Sequence, residues 1–488
     1  MIIGVDVGTS VTKASLLGRD GCARLTRSVR SSLHRAPGGR VEQDLDEVVD
    51  SVVQVVRAIT GETDEPVQAL AITGQGDGLW LRDANGHQVG PGLSWMDARA
   101  SDVLDRWDAD GVLREVYALT GSGMFPGSAG PLLAHLAEHE PERLRRAEVA
   151  GYCVDAIVHR LTGEITVDAS DASLPFLDVP SRSYSDAALA ACGLAEHRRL
   201  LAEPAPPGKL FALRSGCAEL LGLPSGLPVS AGPFDLPACA FGSGIAEPGD
   251  GALVIGTTLG CQVLREQVRI DPEAEAAGMW LATPDPERFL RVMPAMVGTA
   301  NLDWVLRVVG AEVADLDRLL GESAPGANGV SALSFLSSSG ERAPFVEPHA
   351  RGQFTGLSLE TGPADLVRAL CEAVAYAARH NLETAGLTGE VSACGGGARS
   401  AAWGQIFADV LGRPLHVPHE EGVGARGAAM TAWDALGEPV DRAEWAAARR
   451  TVLPDPAAVE FYERGYRAYL ESIERARPVW RSGGGAAR

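Results

Sequence analysis

Lysine is almost missing from this chain of 488 residues. There are two, Lys13 and Lys209, and arginine fills the other basic positions. Lys13 therefore does not read as surface filler. Paired cysteines are missing as well. The eight present are Cys22, Cys153, Cys192, Cys217, Cys239, Cys261, Cys371 and Cys394, and no two form a C-x-x-C pair. That spacing argues against a zinc ribbon or a disulfide framework and predicts reduced, mostly buried thiols. No apolar run reaches the roughly 20 residues that span a bilayer. No basic leader precedes the first apolar run, so the expected location is the cytoplasm. A glycine-rich Walker loop ending in Gly-Lys-Ser or Gly-Lys-Thr is absent, which excludes that class of phosphate site. Positive charge is in deficit: 43 Lys and Arg against 64 Asp and Glu leave −21. Such a surface suits neither nucleic acid nor an anionic membrane. If a polyphosphate binds here, local donors and a metal must overcome that field.

What is present is enough apolar residue, 45%, for a large core. The length exceeds one ordinary core and predicts two domains. The chain opens on "IGVDVGTSVTKASL", residues 3–16. Strands are predicted over Ile2–Val7, Val11–Leu17 and Ala23–Val29, tightly connected and antiparallel. "LDEVVDSVVQVVRAI" follows with Val48, Val49, Val52, Val56 and Ile59 at helical spacing. A strand, "VQALAIT", comes next, and the order strand–strand–strand–helix–strand implies an α/β layer with a mixed sheet. "GALVIGTTLGCQVL", residues 251–264, repeats the opening design: apolar run, Gly-Thr-Thr turn, apolar run. Helices are predicted near 299–310, 363–385, 400–411 and 424–436, with "EVSAC" and "PLHVP" as intervening strands. Two hairpins of one design imply two related domains, joined near "GSGIAEPGDG", residues 242–251. The last helical stretch begins at Pro456, and "RSGGGAAR" reads as a frayed tail.

The hairpin tips suggest chemistry. A Gly-Thr-Ser turn presents backbone N–H groups and two hydroxyls, which suit phosphate oxygens. Asp6, just before the tip, can hold Mg²⁺ directly or through water, and Lys13 adds a cation. A glycine-bearing hairpin with a solvated lysine is the plain alternative. The second tip, Gly256-Thr257-Thr258, tilts the balance toward two turns gripping one polyphosphate. A third loop, Gly395-Gly396-Gly397 between a strand and a helix, invites comparison with a dinucleotide fingerprint, with Glu420 at the distance of a ribose-binding acid. Ser400 stands where that fingerprint needs its third glycine, and the reading leaves both hairpins unexplained. A plain strand–helix turn competes with a nucleotide contact there.

Seven stretches together resemble the FGGY family of carbohydrate kinases: "IGVDVGTSVTK", "ITGQGDGLWLRDANG", "LSWMDARA", "SAGPFDLPACAFGSG", "VIGTTLGC", "SGERAPFVEPHARGQFTGL" and "CGGGARSAAWGQIFADVLGRP". They occur in the family's order and span nearly the whole chain. The resemblance implies an α/β fold of two actin-like, ribonuclease-H-like domains with an interdomain cleft for ATP and substrate. It implies an N-terminal FGGY domain over 1–243 and a C-terminal one over 244–436, followed by a helical extension and tail over 437–488. The implied activity is transfer of the ATP γ-phosphate to a hydroxyl of a small sugar or polyol.

By the same resemblance Asp235 is the catalytic base, and Asp6 lies near Mg²⁺ and the moving phosphate. Thr9, Ser10 and Lys13 form the first ATP turn; Gly256, Thr257 and Thr258 form the second. Gly298, Gly396 and Ser400 are further ATP contacts. Gln75, Gly76, Asp77, Trp95, Asp97 and Arg99 make the acceptor pocket. A capping Asp at a helix start competes with catalysis for Asp235, and a surface ion pair competes for Asp97 and Arg99. "SGERAP" reads as a structural loop. Xylulokinases usually carry Met-His where this chain has Gly76-Asp77, so an acceptor such as erythritol or L-xylulose is considered beside xylulose. ATP and Mg²⁺ are the expected cofactors, and a homodimer is allowed for. Two other readings stand beside the kinase: an NAD-dependent oxidoreductase built on the 395–400 loop, and a non-enzymatic actin-like ATP switch.

Overall fold

A computed structural model of the chain describes all residues except 420–421, 442–444, 446–448 and 484–488. Glu420 and the tail beyond Gly483 therefore lie outside the described residues. The chain divides into two compact units. The first gathers residues 1–244, 265–290 and 422–447; the second gathers 245–264, 291–421 and 448–488.

In the first unit β1 (Ile2–Val7), β2 (Val11–Leu17) and β3 (Ala23–Arg30) form an antiparallel meander. α1 (Leu45–Thr60) follows, then β4 (Ala69–Gly74), β5 (Leu210–Ala212) and β6 (Pro228–Ala231). The sheet order is β5–β6–β4–β1–β2–β3. β4 runs parallel to both β1 and β6, and β5 closes the edge antiparallel. Ile3, Val5 and Val7 on β1 and Leu70 and Ile72 on β4 are fully buried against α1. α1 buries Leu45, Val48, Val52, Val55, Val56 and Ile59. Each such side chain contributes about 1.5–3 kcal/mol. Asp44 starts the helix, accepting from the N–H groups of Asp46 at 2.8 Å and Glu47 at 3.2 Å. An alanine cap there costs about 1 kcal/mol.

The second unit repeats the plan. β7 (Gly251–Ile255) pairs antiparallel with β8 (Leu259–Arg265), beside which lies β9 (Phe289–Ala295). β10 (Val391–Cys394) and β11 (Leu415–Pro418) add in parallel, and β12 (Arg449–Val452) closes antiparallel. Counted outward from the opening hairpin, both sheets follow one sequence: an antiparallel hairpin, two strands parallel to its first strand, one antiparallel edge. Duplication, expected from the two hairpins, extends to these strands, although the second sheet has seven strands to the first sheet's six.

Helices α2 (Cys153–Thr162) and α3 (Asp235–Gly242) belong to the first unit. In the second, α4 (Thr299–Val309), α5 (Pro363–Ala385) and α6 (Ala401–Leu411) pack on the sheet. α7 (Val423–Ala435) returns to the first unit. α3 and α7 cross at glycines: a Cβ on Gly242 would stand 2.8 Å from the Gly427 nitrogen. Only small residues permit backbones that close, and both helices are rich in alanine and glycine. α8 (Pro456–Gly483) lays Tyr462, Tyr466, Tyr469, Ile473 and Trp480 on the second core. All eight cysteines are free thiols, five of them buried.

Candidate active site

Three parallel strands, β6, β4 and β1, end at one edge of the first sheet. The carboxyl ends of such strands, where connections leave the sheet, line ligand sites in α/β folds. β1 delivers Asp6 there, β4 leads into Gln75-Gly76-Asp77, and β6 leads through Gly232-Pro233-Phe234 into Asp235, first residue of α3. Asp6 stands opposite Lys13 in the β1–β2 register, so their side chains share a face.

The carboxylates feel one another. Solvent reaches part of Asp6 and Asp235, yet protein surrounds both closely. Burial is the largest cause of the rise that takes Asp6 to about 6, opposed by the Lys13 charge. Asp235 rises to about 8, first from burial, then from the negative charge of Asp6 and, more weakly, Asp77; the Leu236 N–H, donating to its carboxylate, pulls the other way. Behind them Asp171 is 1% exposed and neither of its oxygens has a hydrogen-bond partner. Burial and four neighbouring carboxylates hold it well above the usual range. A group so placed stays protonated. Among the described residues, the side chains of Asp6 and Lys13 make no hydrogen bond or ion pair, and no cluster of three or more His, Cys, Asp or Glu could hold a metal unaided.

The tip at Gly8-Thr9-Ser10 closes with the Gly8 N–H donating to Val11 O at 3.1 Å. Its hydroxyls differ. Ser10 is exposed. Thr9 is engaged on both sides: its hydroxyl donates to Gln75 Oε1 at 3.0 Å and accepts from Trp95 Nε1 at 2.9 Å. Gln75 Nε2 in turn donates to Gln43 Oε1 at 2.7 Å. The first turn is thus tied by hydrogen bonds to the two segments expected to bind the acceptor.

Asp97 and Arg99 are not a surface pair; they are 1% and 9% exposed. Asp97 accepts from the N–H of Val41 at 2.7 Å and from Arg99 N and Nε at 2.9 Å and Nη2 at 2.8 Å. Arg99 Nη2 also reaches Glu42 at 2.5 Å. These bonds occupy the Asp97 carboxylate and brace the Trp95 segment against residues 41–42.

In the second unit three loops meet. Gly298 donates its N–H to Thr257 O and Thr299 donates its own to Gly256 O, both at 2.7 Å. A Cβ on Gly298 would stand 2.6 Å from Thr258 O. Gly395 crosses Ile255 just as closely: its Cβ would lie 2.6 Å from Ile255 O, and its φ is +94°. So Gly256-Thr257-Thr258, Gly298 and the 395–397 run form one surface of backbone and hydroxyls, with Thr257 and Gly396 exposed. Ser400 caps α6: its hydroxyl accepts from Trp403 N at 3.0 Å and donates to Asp317 Oδ1 at 2.5 Å. The "SGERAP" loop buttresses the region, since Glu341 Oε1 accepts from the N–H groups of Met296 and Arg342, each at 2.9 Å.

Family models match this chain over most of its length. The model of the N-terminal domain of the FGGY family of carbohydrate kinases fits residues 1–242, and that of the C-terminal domain fits residues 251–436. The chain belongs to that family. It is similar to an erythritol kinase of Brucella abortus, 32% identical over 98% of this chain and 97% of that one. A xylulose kinase of Escherichia coli is 31% identical over 85% of this chain and 86% of its own length. Among solved structures, a xylulose kinase of Rhodospirillum rubrum superposes with a TM-score of 0.87 at 29% identity, covering 98% and 99% of the two chains.

As an FGGY carbohydrate kinase this protein is an ATP-dependent phosphotransferase acting on a sugar or polyol. The oxidoreductase and switch readings give way to that membership. No helix among the described residues is long and apolar enough to cross a membrane. Sequence reasoning passed over several residues of the site. Gly424, on α7, makes room for Asp6, whose Oδ2 lies 2.5 Å from where its Cβ would be. Gln43 anchors Gln75. Ser170 accepts from the Phe234 N–H at 3.2 Å and so fixes the approach to Asp235. Each acts through contacts distant in sequence, and only the glycine in "GVGARGAA" carried a local hint.

Proposed function

We propose that this kinase phosphorylates a short-chain polyol or ketose, erythritol-like or of the xylulose and L-xylulose type, with Asp235 as the base. The observation that carries this reading is the meeting of Asp6, Asp77 and Asp235 at the carboxyl edge of β1, β4 and β6. Gln75, Asp77 and Trp95 recognise vicinal hydroxyls and the apolar face of the carbon chain; Gly76 makes room in that wall for the Phe234 ring, and Asp97 and Arg99 hold it in place. Asp235 orients the acceptor hydroxyl and receives its proton while that oxygen bonds to the γ-phosphorus and the bond to the β-phosphate oxygen breaks, releasing ADP. Free Asp235, shifted to about 8, is largely protonated at neutral pH. The cationic charge that accompanies ATP favours its ionised form.

In the first unit Ser10, the backbone at Thr9, and Lys13 are phosphate contacts; in the second, taken by itself, Gly256, Thr257 and Thr258 form a phosphate turn of the same kind. Gly298, Gly396 and Ser400 shape the nucleotide surface. Mg²⁺ suits Asp6, a hard oxygen donor whose carboxylate makes no hydrogen bond or ion pair among the described residues; Mg²⁺ takes one or two carboxylates beside substrate phosphates. Bound there, it neutralises phosphate charge. The cytoplasm, where ATP is abundant, is the compartment such chemistry calls for.

A coupled ADP-release assay across C3–C7 polyols and ketoses tests the reading. The highest kcat/KM is expected for a four- or five-carbon acceptor. ATP turnover indifferent to every acceptor would instead favour a nucleotide switch.

A further inference from the structure

We propose that Phe234 and Gly76 form a single specificity element that sets how far the acceptor's recognised hydroxyl lies from the hydroxyl that is phosphorylated. This rests on the acceptor-site reading above and adds the residues that define its span. A Cβ built on Gly76 would stand 2.5 Å from Phe234 Cδ2, 2.8 Å from Cγ and 2.9 Å from Cε2. The ring occupies the place of any side chain at 76, so a side chain at one position excludes the other. Phe234 is 3% exposed.

Neither backbone can step aside. On the Phe234 side, its N–H donates to Ser170 Oγ at 3.2 Å, and Thr73 Oγ1 donates to the carbonyl of the preceding Pro233 at 2.6 Å. On the Gly76 side, the Gln75 N–H donates to Val7 O and the Gly78 N–H to Gly127 O, both at 3.0 Å. Asp77, between them, is held at φ +55°, a left-handed conformation that side chains other than glycine seldom adopt. The pair's chain neighbours are Asp77 and Asp235. The ring-against-glycine contact therefore fixes the separation of the two carboxylates that face the acceptor. Trimming the ring widens that separation and admits a longer or bulkier carbon chain. Adding a methyl at 76 drives the ring, and Asp235 with it, out of register.

The test uses the full-length enzyme and a panel of C4–C7 polyols and ketoses. Phe234→Leu is expected to change the ratio of kcat/KM between the best four- or five-carbon acceptor and the best six- or seven-carbon acceptor by about tenfold or more, toward the longer chain, the scale on which pocket volume discriminates. The KM for ATP stays within about twofold. Gly76→Ala lowers kcat/KM for every acceptor at least tenfold. Combining it with Phe234→Ala, which removes Cγ and the whole ring and so the atoms within 3 Å of the added methyl, restores activity to the level of Phe234→Ala alone, a coupling that independent sites do not show. Thermal melts of every variant separate lost activity from lost folding, and Phe234→Met keeps core volume for the chain-length comparison if the leucine variant melts early. An unchanged acceptor ratio in a folded Phe234 variant, or losses from the two single substitutions that simply multiply, overturns the pairing while leaving the kinase reading intact. A wild-type enzyme inert toward the whole panel overturns both.

Discussion

Replacing Asp235 by asparagine should stabilise the protein, and by an amount that depends on pH. The side chain keeps its shape and loses its charge. Asp235 binds its proton more tightly in the folded chain, at about 8, than at its ordinary 3.8. Between those values the folded state holds more protons than the unfolded state, so stability falls as pH rises through the interval. The full shift of about four units, at ~1.4 kcal/mol each, sets a ceiling near 5–6 kcal/mol. Solvent reaches part of the side chain and hydrates the charge, which reduces the expected cost to about 2 kcal/mol. Asparagine avoids that cost. At pH 9 the variant should melt about 4 °C higher in the transition of the first unit, taking about 2 °C per kcal/mol for a unit of this size. At pH 4, where the carboxyl is uncharged in the folded chain and only about half ionised in the unfolded one, the melts should agree to within about 1 °C. Differential scanning fluorimetry of both proteins from pH 4 to pH 9, without nucleotide, makes the comparison. A gain independent of pH, or a variant less stable at pH 9, would refute the electrostatic argument. Asp77→Asn offers a second check, since asparagine tolerates the left-handed backbone at this position. It removes a negative neighbour that raises Asp235, so the acid limb of kcat/KM for the acceptor should move to lower pH.

Two further outcomes follow from the hydrogen bonds of the site. Thr9→Val strands Trp95 Nε1 and Gln75 Oε1, and the KM for the acceptor should rise about tenfold, or ~1.4 kcal/mol, more than that for ATP; Thr9→Ser, which keeps the hydroxyl, should recover most of the loss. Initial-rate kinetics in both substrates decides it, and equal effects on the two KM values would speak against the link between turn and acceptor wall. Gly298→Ala places a Cβ 2.6 Å from Thr258 O, so the second turn must shift; isothermal titration should show ATP affinity reduced about tenfold or more, and unchanged affinity would remove that turn from the nucleotide surface.

Much of the frame was legible because it is local. Alternating and continuous apolar runs marked β1, β2 and β7, glycine and hydroxyl residues marked both tips, and helical spacing marked α1. Even there the burial differs in detail: Val49 is half-buried while Val55 lies in the core, because the helix turns its face slightly from the spacing assumed. The convergence of Asp6, Asp77 and Asp235 follows from parallel pairing of strands more than 60 residues apart, which periodicity does not encode. The same holds for α7, whose glycines meet α3 across nearly 190 residues of chain, and for Phe234 against Gly76. Thr9 shows a different gap. Its position in the turn was readable, but its hydroxyl is committed to Trp95 and Gln75, partners that only the folded chain brings within reach. Asp97 and Arg99, two residues apart, looked like a minor ion pair; burial beneath residues 41–42 makes them a brace.

The central claim, that Asp235 takes the proton of the acceptor alcohol, is tested most directly by the turnover of Asp235→Asn. With ATP and the best wild-type acceptor both saturating, ADP release should fall by at least ~10³-fold while ATP affinity by titration stays within about twofold. Turnover within tenfold of wild type in a folded, ATP-binding variant would contradict the account.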